Sequence, residues 1–475
     1  MGRSENAREP DGLRGATPAS RVIPWRIGPP GGLDASTSNR FETTMTLLRQ
    51  SSLPRLTEPD TFLWATGIED TFITAPWPQT GRTLDEYELT QHYTRWHADL
   101  GLMREIHVQA ARYGVPWHRI QPRRGAWEWD FVDRAVDRLL ELNIEPIIDL
   151  VHYGLPAWIE GAYLNRDFSS YMADYAARLA ERLRGRVFAY TPLNEPRITA
   201  WYCGRLGWWP PHRRGWRGFV AVMLGACRGI VETARALGAV DPETVMAHVD
   251  ATDLYVSGLP EFEAEAHHRQ EIVFLALDLV SGRVRPGHSL WSWLITHGAT
   301  EADLAWFHDR AIPLPLVGIN LYPMFTYKVA RRTRPGGLRW AMQYADADIV
   351  ERLGRLYWDR YRSPVFVSET ASVGSVGRRA DWLRDSVAAV RRLREAAVPL
   401  VGYTWWPLFA LVTWAYRQGQ HPPEYYLKQM GLWDLDAKMD RIATPLVEQF
   451  RALVDDRESV GRLNGARVET SAGVH

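Results

Sequence analysis

Residues 130–154 read DFVDRAVDRLLELNIEPIIDLVHYG, and this stretch contains the pattern that decides the expected fold. Its first part, Asp130–Asn143, has a wide apolar stripe on one helical face and Asp, Arg and Glu side chains on the other, which predicts an amphipathic helix. Its second part, Pro146–His152, is a short apolar run of strand length. A helix followed directly by such a strand is typical of a parallel α/β sheet.

The same alternation continues along most of the chain. Apolar runs predict eight strands, at Phe62–Ile68, Val108–Tyr113, Pro146–His152, Phe188–Leu193, Thr244–Val249, Leu316–Leu321, Pro364–Ser368 and Leu400–Trp405. Amphipathic segments predict helices at Thr90–Glu105, Asp130–Asn143, Ser169–Arg184, Gly218–Leu237, Ala347–Tyr361, Arg379–Ala396 and Ile442–Val454. Eight such units joined by right-handed crossovers predict an α/β fold, a single (β/α)8 TIM barrel. An open doubly wound sheet is the alternative, but no glycine-rich phosphate turn follows the first strand.

The two ends of the chain differ in composition from the part between them. Residues 1–55 are rich in Arg, Gly, Pro, Ser and Thr and show no sustained periodicity, so we expect a flexible N-terminal tail. No Gly/Pro-rich linker divides residues 58–455. We therefore expect one catalytic domain over residues 56–460 and a short flexible C-terminal tail over residues 461–475.

Charge and cysteine content exclude several classes of protein. The 475 residues contain 56 Lys and Arg against 56 Asp and Glu, so the basic excess of a nucleic-acid-binding protein is missing. No run approaches the roughly 18 apolar residues of a membrane helix, and the first residues contain no secretory signal. Two cysteines, Cys203 and Cys227, can form neither a disulfide framework nor a four-thiolate zinc site. We expect a cytoplasmic protein without membrane or nucleic-acid partners.

Tryptophan is the unusual component, with 22 residues. Its large flat ring is suited to stacking on a flat ligand face. Four tryptophans, at positions 201, 208, 209 and 216, follow the fourth predicted strand and either line an entrance or pack an insertion. The Trp excess is consistent with a site for a flat ligand but does not by itself identify one.

Two glutamates stand where a barrel carries its chemistry. Glu195 follows the fourth predicted strand and Glu369 the seventh, and these strands lie on opposite sides of an eight-stranded ring. A pair of carboxyl groups flanking a bond is the apparatus of glycoside hydrolysis, in which one carboxyl donates a proton and the other attacks or activates water. Each glutamate could instead be a helix N-terminal carboxylate or an ion-pair partner.

Six segments around these residues, in the same order along the chain, resemble glycoside hydrolase family 1, the β-glucosidase-like retaining enzymes. The resemblance runs from about Phe62 to Phe450. The segments are Arg112–Arg119, His152–Pro156, Thr191–Pro196, Asn320–Tyr322, Val367–Thr370 and Gly402–Trp414.

The resemblance implies a role for each matching residue. Glu195 is expected to be the acid/base and Glu369 the nucleophile of a double-displacement reaction on a β-O-glycoside. Arg112 is expected to support the nucleophile, and Tyr322 to orient it. The implied sugar contacts are His152, Asn194 at the 2-hydroxyl, and Trp406 as a stacking platform. No metal and no cofactor are implied.

The chain also departs from the family pattern. The family's Gln-x-Glu sugar clamp on the first strand is replaced by Gly67–Asp70, where Glu69 is the best candidate for the sugar contact. The family's Glu-Trp pair after the eighth strand is Thr413-Trp414 here, and the family's Glu holds the 4- and 6-hydroxyls of the sugar. Trp414 remains in the expected sugar-binding wall, so these changes indicate a divergent member with altered glycone specificity.

Several alternatives stay open at this point. A transglycosylase would use the same two glutamates, with an alcohol in place of water. A carbohydrate-binding pseudoenzyme would have lost activity along with the sugar clamp. His152 could be a buried histidine of the barrel wall, and Trp406 could be a core residue. A carbohydrate or glycoside is the expected partner in each case.

Overall fold

Eight parallel strands close into a barrel within the part of the chain that the computed structural model describes, residues 56–334, 336–456, 458–461 and 463. The strands are β1 Leu63–Gly67, β2 Ala110–Gly114, β3 Glu145–Asp149, β4 Ala189–Thr191, β5 Val245–Ala251, β6 Leu316–Asn320, β7 Val365–Thr370 and β8 Leu400–Trp405. Each strand pairs with its neighbour in sequence, and β8 pairs with β1. The predicted (β/α)8 barrel is confirmed.

The alternation of side chains along β1 shows how the barrel is filled. Leu63 and Ala65 pack in a small interior cluster with residues of the other strands. Trp64 points the other way and makes edge-on contacts with Tyr403 and Phe450 outside the barrel. Residues at successive positions of a strand face opposite sides. Each strand therefore contributes side chains to the barrel interior and to the layer between barrel and helices.

Helices pack around the barrel in the order that the sequence predicts. They are α1 His92–Glu105, α2 Asp130–Glu141, α3 Phe168–Leu183, α4 Gly215–Val240, α5 Glu263–Val280, α6 Trp291–Thr296, α7 Glu301–Asp309, α8 Asp348–Tyr361, α9 Val376–Glu395 and α10 Pro445–Asp455. In α2, the residues predicted to face inward include Val132, Ala135, Val136 and Leu139, and all four are buried. Removing this apolar stripe from water stabilises the helix on the barrel.

The crossover between β5 and β6 is where the sequence-based prediction is incomplete, because it misses α5, α6 and α7. The second half of α5, from Ile272 to Val280, is buried on every side. A helix buried all round has no polar face, and the periodicity that identifies a surface helix is therefore absent there.

Shorter strands form small additional sheets at the carboxyl-terminal end of the barrel. A three-stranded sheet of Leu254–Val256, Tyr327–Arg332 and Leu338–Gln343 extends from the segments after β5 and β6. Two-stranded hairpins follow β1, at Phe72–Ile73 and Leu84–Asp85, and β8, at Leu411–Val412 and Leu427–Lys428. A third pairs Trp433–Leu435 with Arg441–Ala443.

The described helices include none that is both long and apolar enough to cross a bilayer. The predicted tails, residues 1–55 and 461–475, lie outside the described residues except for Gly461 and Leu463. The proposed domain boundaries therefore stay a prediction.

Candidate active site

The parallel strands end at one rim, and closure of the barrel brings the predicted site residues together there. Arg112 and Glu369 lie within β2 and β7, and Asn194 and Glu195 follow β4 within four residues. The remaining ones also follow strand ends closely: Glu69 after β1, His152 after β3, Tyr322 after β6 and Trp406 after β8.

Glu369 is a buried carboxyl group with a hydrogen-bond donor on each oxygen. Nη1 of Arg112 donates to Oε1 at 2.8 Å, and the hydroxyl of Tyr322 donates to Oε2 at 2.8 Å. Only 4% of Glu369 is exposed. The orientation of this carboxyl group at the rim is therefore set by residues from two other barrel segments.

Arg112 connects Glu369 to the opposite side of the rim. Its Nη2 donates to Oδ2 of Asp149 at 2.5 Å and to Oδ1 of Asn194 at 3.0 Å. Burial lowers the pKa of Arg112, but the charges of Asp149 and Glu369 outweigh burial and raise it above its ordinary value. A fully buried guanidinium with these partners remains cationic and rigidly oriented.

Glu195 lies at a strained turn after β4. Its backbone has φ of 47°, in the left-handed region that a residue other than glycine rarely adopts, and a short helix, Pro196–Thr199, begins directly after it. Nδ2 of Asn320 donates to Oε1 at 2.8 Å, and the hydroxyl of Tyr153 donates to Oε2. Both oxygens of Glu195 are thus held by uncharged donors.

The two carboxyl groups influence each other's ionisation. Burial raises the pKa of Glu369 to about 8, while Arg112 lowers this pKa and the charge of Glu195 raises it. Among the described residues, Glu195 has no cationic side chain within ion-pair distance. Glu369 therefore holds a proton to a higher pH than an isolated carboxyl group does.

His152 faces this network from the loop after β3. Its Nδ1 forms an ion pair with Asp70, and Nε2 lies 2.9 Å from Nδ2 of Asn194. Burial lowers the pKa of His152, but the charge of Asp70 and the hydrogen bonds of Asp149 and Asp70 raise it well above its ordinary value. Burial also raises the pKa of Asp70 to about 6. His152 is therefore a buried histidine that contacts the candidate site through Asn194.

Trp406 lies between this network and β1. Its indole N–H donates to Oε2 of Glu69 at 3.1 Å, and its ring lies nearly parallel to that of His152. A Cβ atom at Gly67 would lie 2.0 Å from the Trp406 ring, so only glycine leaves room for it there. Trp406 is 1% exposed, and its role as a sugar platform stays a prediction.

Trp414 belongs to an aromatic group one layer further out. It lies against Tyr153, Tyr202 and Trp209, with ring centroids 5.0–5.5 Å apart. Tyr153 then connects this group to Glu195. Trp414 therefore lies near the site through its contact with Tyr153. In the described part of the chain, it makes no hydrogen bond or ring contact with Glu195 or Glu369.

The four tryptophans after β4 have different surroundings. Trp209 joins the group beside Tyr153, whereas Trp201 and Trp216 pack on each other. Trp208 is 42% exposed. A cavity of about 470 Å³ lies beside Tyr153 and Trp209, lined chiefly by residues 73–76, 153–163 and 209–212.

A further carboxyl group near the rim belongs to an element that no motif in the sequence marks. Glu86 begins a short helix, Glu86–Leu89, and is fully buried. Its Oε2 accepts a hydrogen bond from the backbone N–H of Val412 at 3.1 Å, one residue before Thr413. Burial raises the pKa of Glu86 well above its ordinary value, and the charge of Glu69 adds to the shift.

Several groups at the rim are absent from the predicted site residues, among them Tyr153, Asn320 and Glu86. Tyr153 and Asn320 lie inside the segments His152–Pro156 and Asn320–Tyr322. The sequence therefore indicates that they lie at the rim, but not that they contact Glu195. Glu86 lies in no such segment, and no signal in the sequence marks it.

In the described part of the chain, two groups of side chains are close enough to hold a metal ion: Asp70, Asp149 and His152, and Glu271, Asp278 and His288. Both already contain ion pairs. His152 pairs with Asp70, and Arg360 pairs with both Glu271 and Asp278. We infer no metal site from either group.

Known proteins resemble this chain in sequence. The family model described as Glycosyl hydrolase family 1 matches residues 65–268. A β-glucosidase of Agrobacterium sp. is 30% identical over 386 residues, which cover 73% of this chain and 80% of the relative. A bifunctional β-D-glucosidase/β-D-fucosidase of Bifidobacterium breve is 27% identical over 450 residues, covering 80% of this chain and 90% of the relative.

Solved structures share the fold. The family 1 β-glucosidase of Thermotoga maritima aligns with a TM-score of 0.72 at 19% identity, over 85% of this chain and 98% of that one. The same Thermotoga maritima enzyme in complex with deoxynojirimycin aligns with a TM-score of 0.73 at 20% identity, over 85% and 99% of the two chains.

Proposed function

The chain belongs to glycosyl hydrolase family 1 and is a glycoside hydrolase, and on that premise we propose that it cleaves a β-O-glycosidic bond by double displacement with retention of configuration. Glu369 is the nucleophile and Glu195 the acid/base. The observation that carries these roles is the asymmetry in their partners: Arg112 forms an ion pair with Glu369, while uncharged donors hold Glu195.

In the first step, an oxygen of Glu369 attacks the anomeric carbon and a C–O bond forms between them. The bond from that carbon to the leaving oxygen breaks, and Glu195 transfers its proton to that oxygen. The reaction requires the state with Glu369 ionised and Glu195 protonated, and the Arg112 cation favours the ionised form of Glu369. The leaving alcohol and a glycosyl-enzyme are the products.

In the second step, Glu195 is a carboxylate and takes a proton from water. The water oxygen bonds to the anomeric carbon, and the bond to Glu369 breaks, which restores both carboxyl groups to their starting states. Two inversions at one carbon give net retention. The hydroxyl of Tyr322 and the guanidinium of Arg112 remain on Glu369 to receive the returning negative charge.

The glycone would lie against the remaining rim residues. We propose Glu69, His152, Asn194, Trp406 and Trp414 as its contacts, with Asn194 at the 2-hydroxyl. Asn194 is suited to that role because Arg112 and Asn320 both donate to its Oδ1, which fixes the orientation of its amide. Relatives described as β-glucosidases make a β-glucoside the first substrate to test.

The test is a panel of nitrophenyl β-glycosides with wild type, Glu195→Gln and Glu369→Gln, together with proton NMR of the first anomer released. We expect turnover of at least one glycoside, release of the β anomer, and loss of activity in both variants by about 100-fold or more. Glu141→Gln changes an exposed glutamate on α2 and serves as the matched control. An α anomer, or full activity of either site variant, would refute the assignment.

A further inference from the structure

Tyr153 contacts Glu195, and the proposed reaction assigns no role to this contact. Its hydroxyl donates to Oε2 of Glu195, and Nδ2 of Asn194 donates to the Tyr153 oxygen at 3.4 Å. The amide of Asn194 is oriented by Arg112, so its N–H groups face this way. The phenol hydrogen of Tyr153 is therefore directed at Glu195.

The backbone of Tyr153 is held in an unusual conformation. Its φ is 65°, in the left-handed region, and the hydroxyl of Tyr163 donates to its carbonyl at 2.7 Å. The next residue, Gly154, packs so tightly that a Cβ atom there would lie 1.2 Å from the carbonyl oxygen of Phe72. A non-glycine residue keeps such a conformation only where its surroundings enforce it. The packing around Tyr153 therefore holds this residue at Glu195.

The ring of Tyr153 is packed as firmly as its backbone. It lies edge-on to His152 with centroids 4.7 Å apart, and against Trp209 at 5.2 Å and Trp414 at 5.5 Å. Only 4% of the residue is exposed. Burial, followed by the charge of Glu195, raises the pKa of Tyr153 well above its ordinary value. The phenol keeps its proton and remains a donor.

We propose that Tyr153 is the positioning residue for proton transfer by Glu195, acting on the ionised form of that carboxyl group. The inference rests on the acid/base role proposed for Glu195. Negative charge develops on Glu195 as its proton moves to the leaving oxygen, and a directed hydrogen bond to that carboxylate stabilises the transition state. The contribution of Tyr153 to the rate is therefore largest for the leaving groups that depend most on protonation by Glu195.

The proposal separates Tyr153 from Tyr322, the phenol that holds the other carboxyl group. Loss of the Tyr322 hydroxyl weakens the contact to Glu369, which attacks in every reaction whatever the leaving group. Loss of the Tyr153 hydroxyl weakens only the proton donor. A good leaving group such as dinitrophenolate departs without protonation, whereas an alkoxide does not.

The experiment measures kcat/KM of wild type, Tyr153→Phe and Tyr322→Phe on β-glycosides with leaving groups from dinitrophenol through nitrophenol to methanol. For Tyr153→Phe we expect a loss of about 10-fold or more on the poorest leaving group and less than about 2-fold on the dinitrophenyl glycoside. Its rate profile should also extend to higher pH, because the carboxyl pair then holds its last proton more tightly. Tyr322→Phe should lose activity on all leaving groups.

Two further variants keep the test decisive. Tyr175→Phe removes a buried phenol that donates to the carbonyl of Leu150 at 3.2 Å, and it should preserve the wild-type dependence on leaving group. Tyr163→Phe leaves the Tyr153 hydroxyl in place but frees its backbone, and it should reproduce the Tyr153→Phe pattern more weakly. If Tyr153→Phe does not fold, the Tyr163→Phe pattern decides.

The outcomes distinguish the two proposals. Equal losses for Tyr153→Phe on every leaving group, with an unchanged pH profile, would mean a merely structural role and would overturn this inference while leaving the acid/base assignment intact. A wild-type protein that turns over none of the glycosides would overturn the proposed function, and this inference with it.

Discussion

Arg112 and Glu369 form a buried ion pair, with Nη1 of the arginine 2.8 Å from Oε1 of the carboxylate. Arg112 lies on β2 and Glu369 on β7, strands that are not neighbours in the barrel, so the ion pair spans the barrel mouth. Breaking a buried ion pair from one side leaves an uncompensated charge, which makes both residues sensitive to substitution. This contact joins the proposed nucleophile to the strand β2 and, through Arg112, to Asp149 and Asn194.

Arg112→Lys should lower kcat/KM by about 10- to 100-fold, because a lysine cannot donate to Glu369, Asp149 and Asn194 at once. Steady-state kinetics on the best nitrophenyl glycoside measure the loss. Arg182→Lys is the matched control, since Arg182 pairs with Asp133 on the outer surface of the barrel. Wild-type kinetics in Arg112→Lys would show that the guanidinium fork is dispensable.

The rate profile of wild type should fall above about pH 8. Burial raises the pKa of Glu369 to about 8, and above this pH the site has lost the proton that Glu195 can pass to the leaving group. In Glu195→Gln the charge that raises the pKa of Glu369 is gone, so this pKa falls. The alkaline limb should then vanish from the residual activity on a dinitrophenyl glycoside, and its persistence would argue against coupling of the two groups.

Glu86→Gln should stabilise the protein in alkaline but not in acidic solution. The folded-state pKa of Glu86 is raised by burial, so its contribution to stability is present below the unfolded pKa and is lost as the pH rises through the folded one. Glutamine keeps an acceptor for the Val412 N–H and cannot ionise. Melting temperatures at about pH 5 and about pH 9 measure the difference. Glu141→Gln, at an exposed position, should show no such pH dependence.

Gly67→Ala should displace Trp406 and reduce both activity and stability. The added Cβ would lie 2.0 Å from the indole ring and 2.7 Å from the carbonyl oxygen of Arg112. Overpacking of this kind typically costs about 1–3 kcal/mol. Gly101→Ala is the control, because Gly101 lies in α1 with nothing near the added methyl group, and there alanine should stabilise by about 0.5–1 kcal/mol. Thermal unfolding and kcat/KM of both variants provide the comparison.

Local patterns account for most of the fold prediction. The predicted strand Pro146–His152 extends three residues beyond the end of β3 at Asp149, because Leu150 and Val151 continue the apolar run. Helix α2 was predicted closely because one of its faces is polar. Helix α5 was missed because its second half has none. Hydrophobic periodicity indicates a helix or strand only where one face of that element is buried and the other is exposed.

The sequence by itself determined the barrel and which residues reach its rim, because strand and helix periods are local and the carboxyl ends of parallel strands share one edge. Only the tertiary structure decided which donor holds which carboxyl oxygen. Tyr153 and Glu195 are 42 residues apart, and Glu86 and Val412 are 326 apart. Such pairs are set by the closure of the ring and the packing of its loops, and a hydrogen bond needs geometry that is correct to a fraction of an ångström.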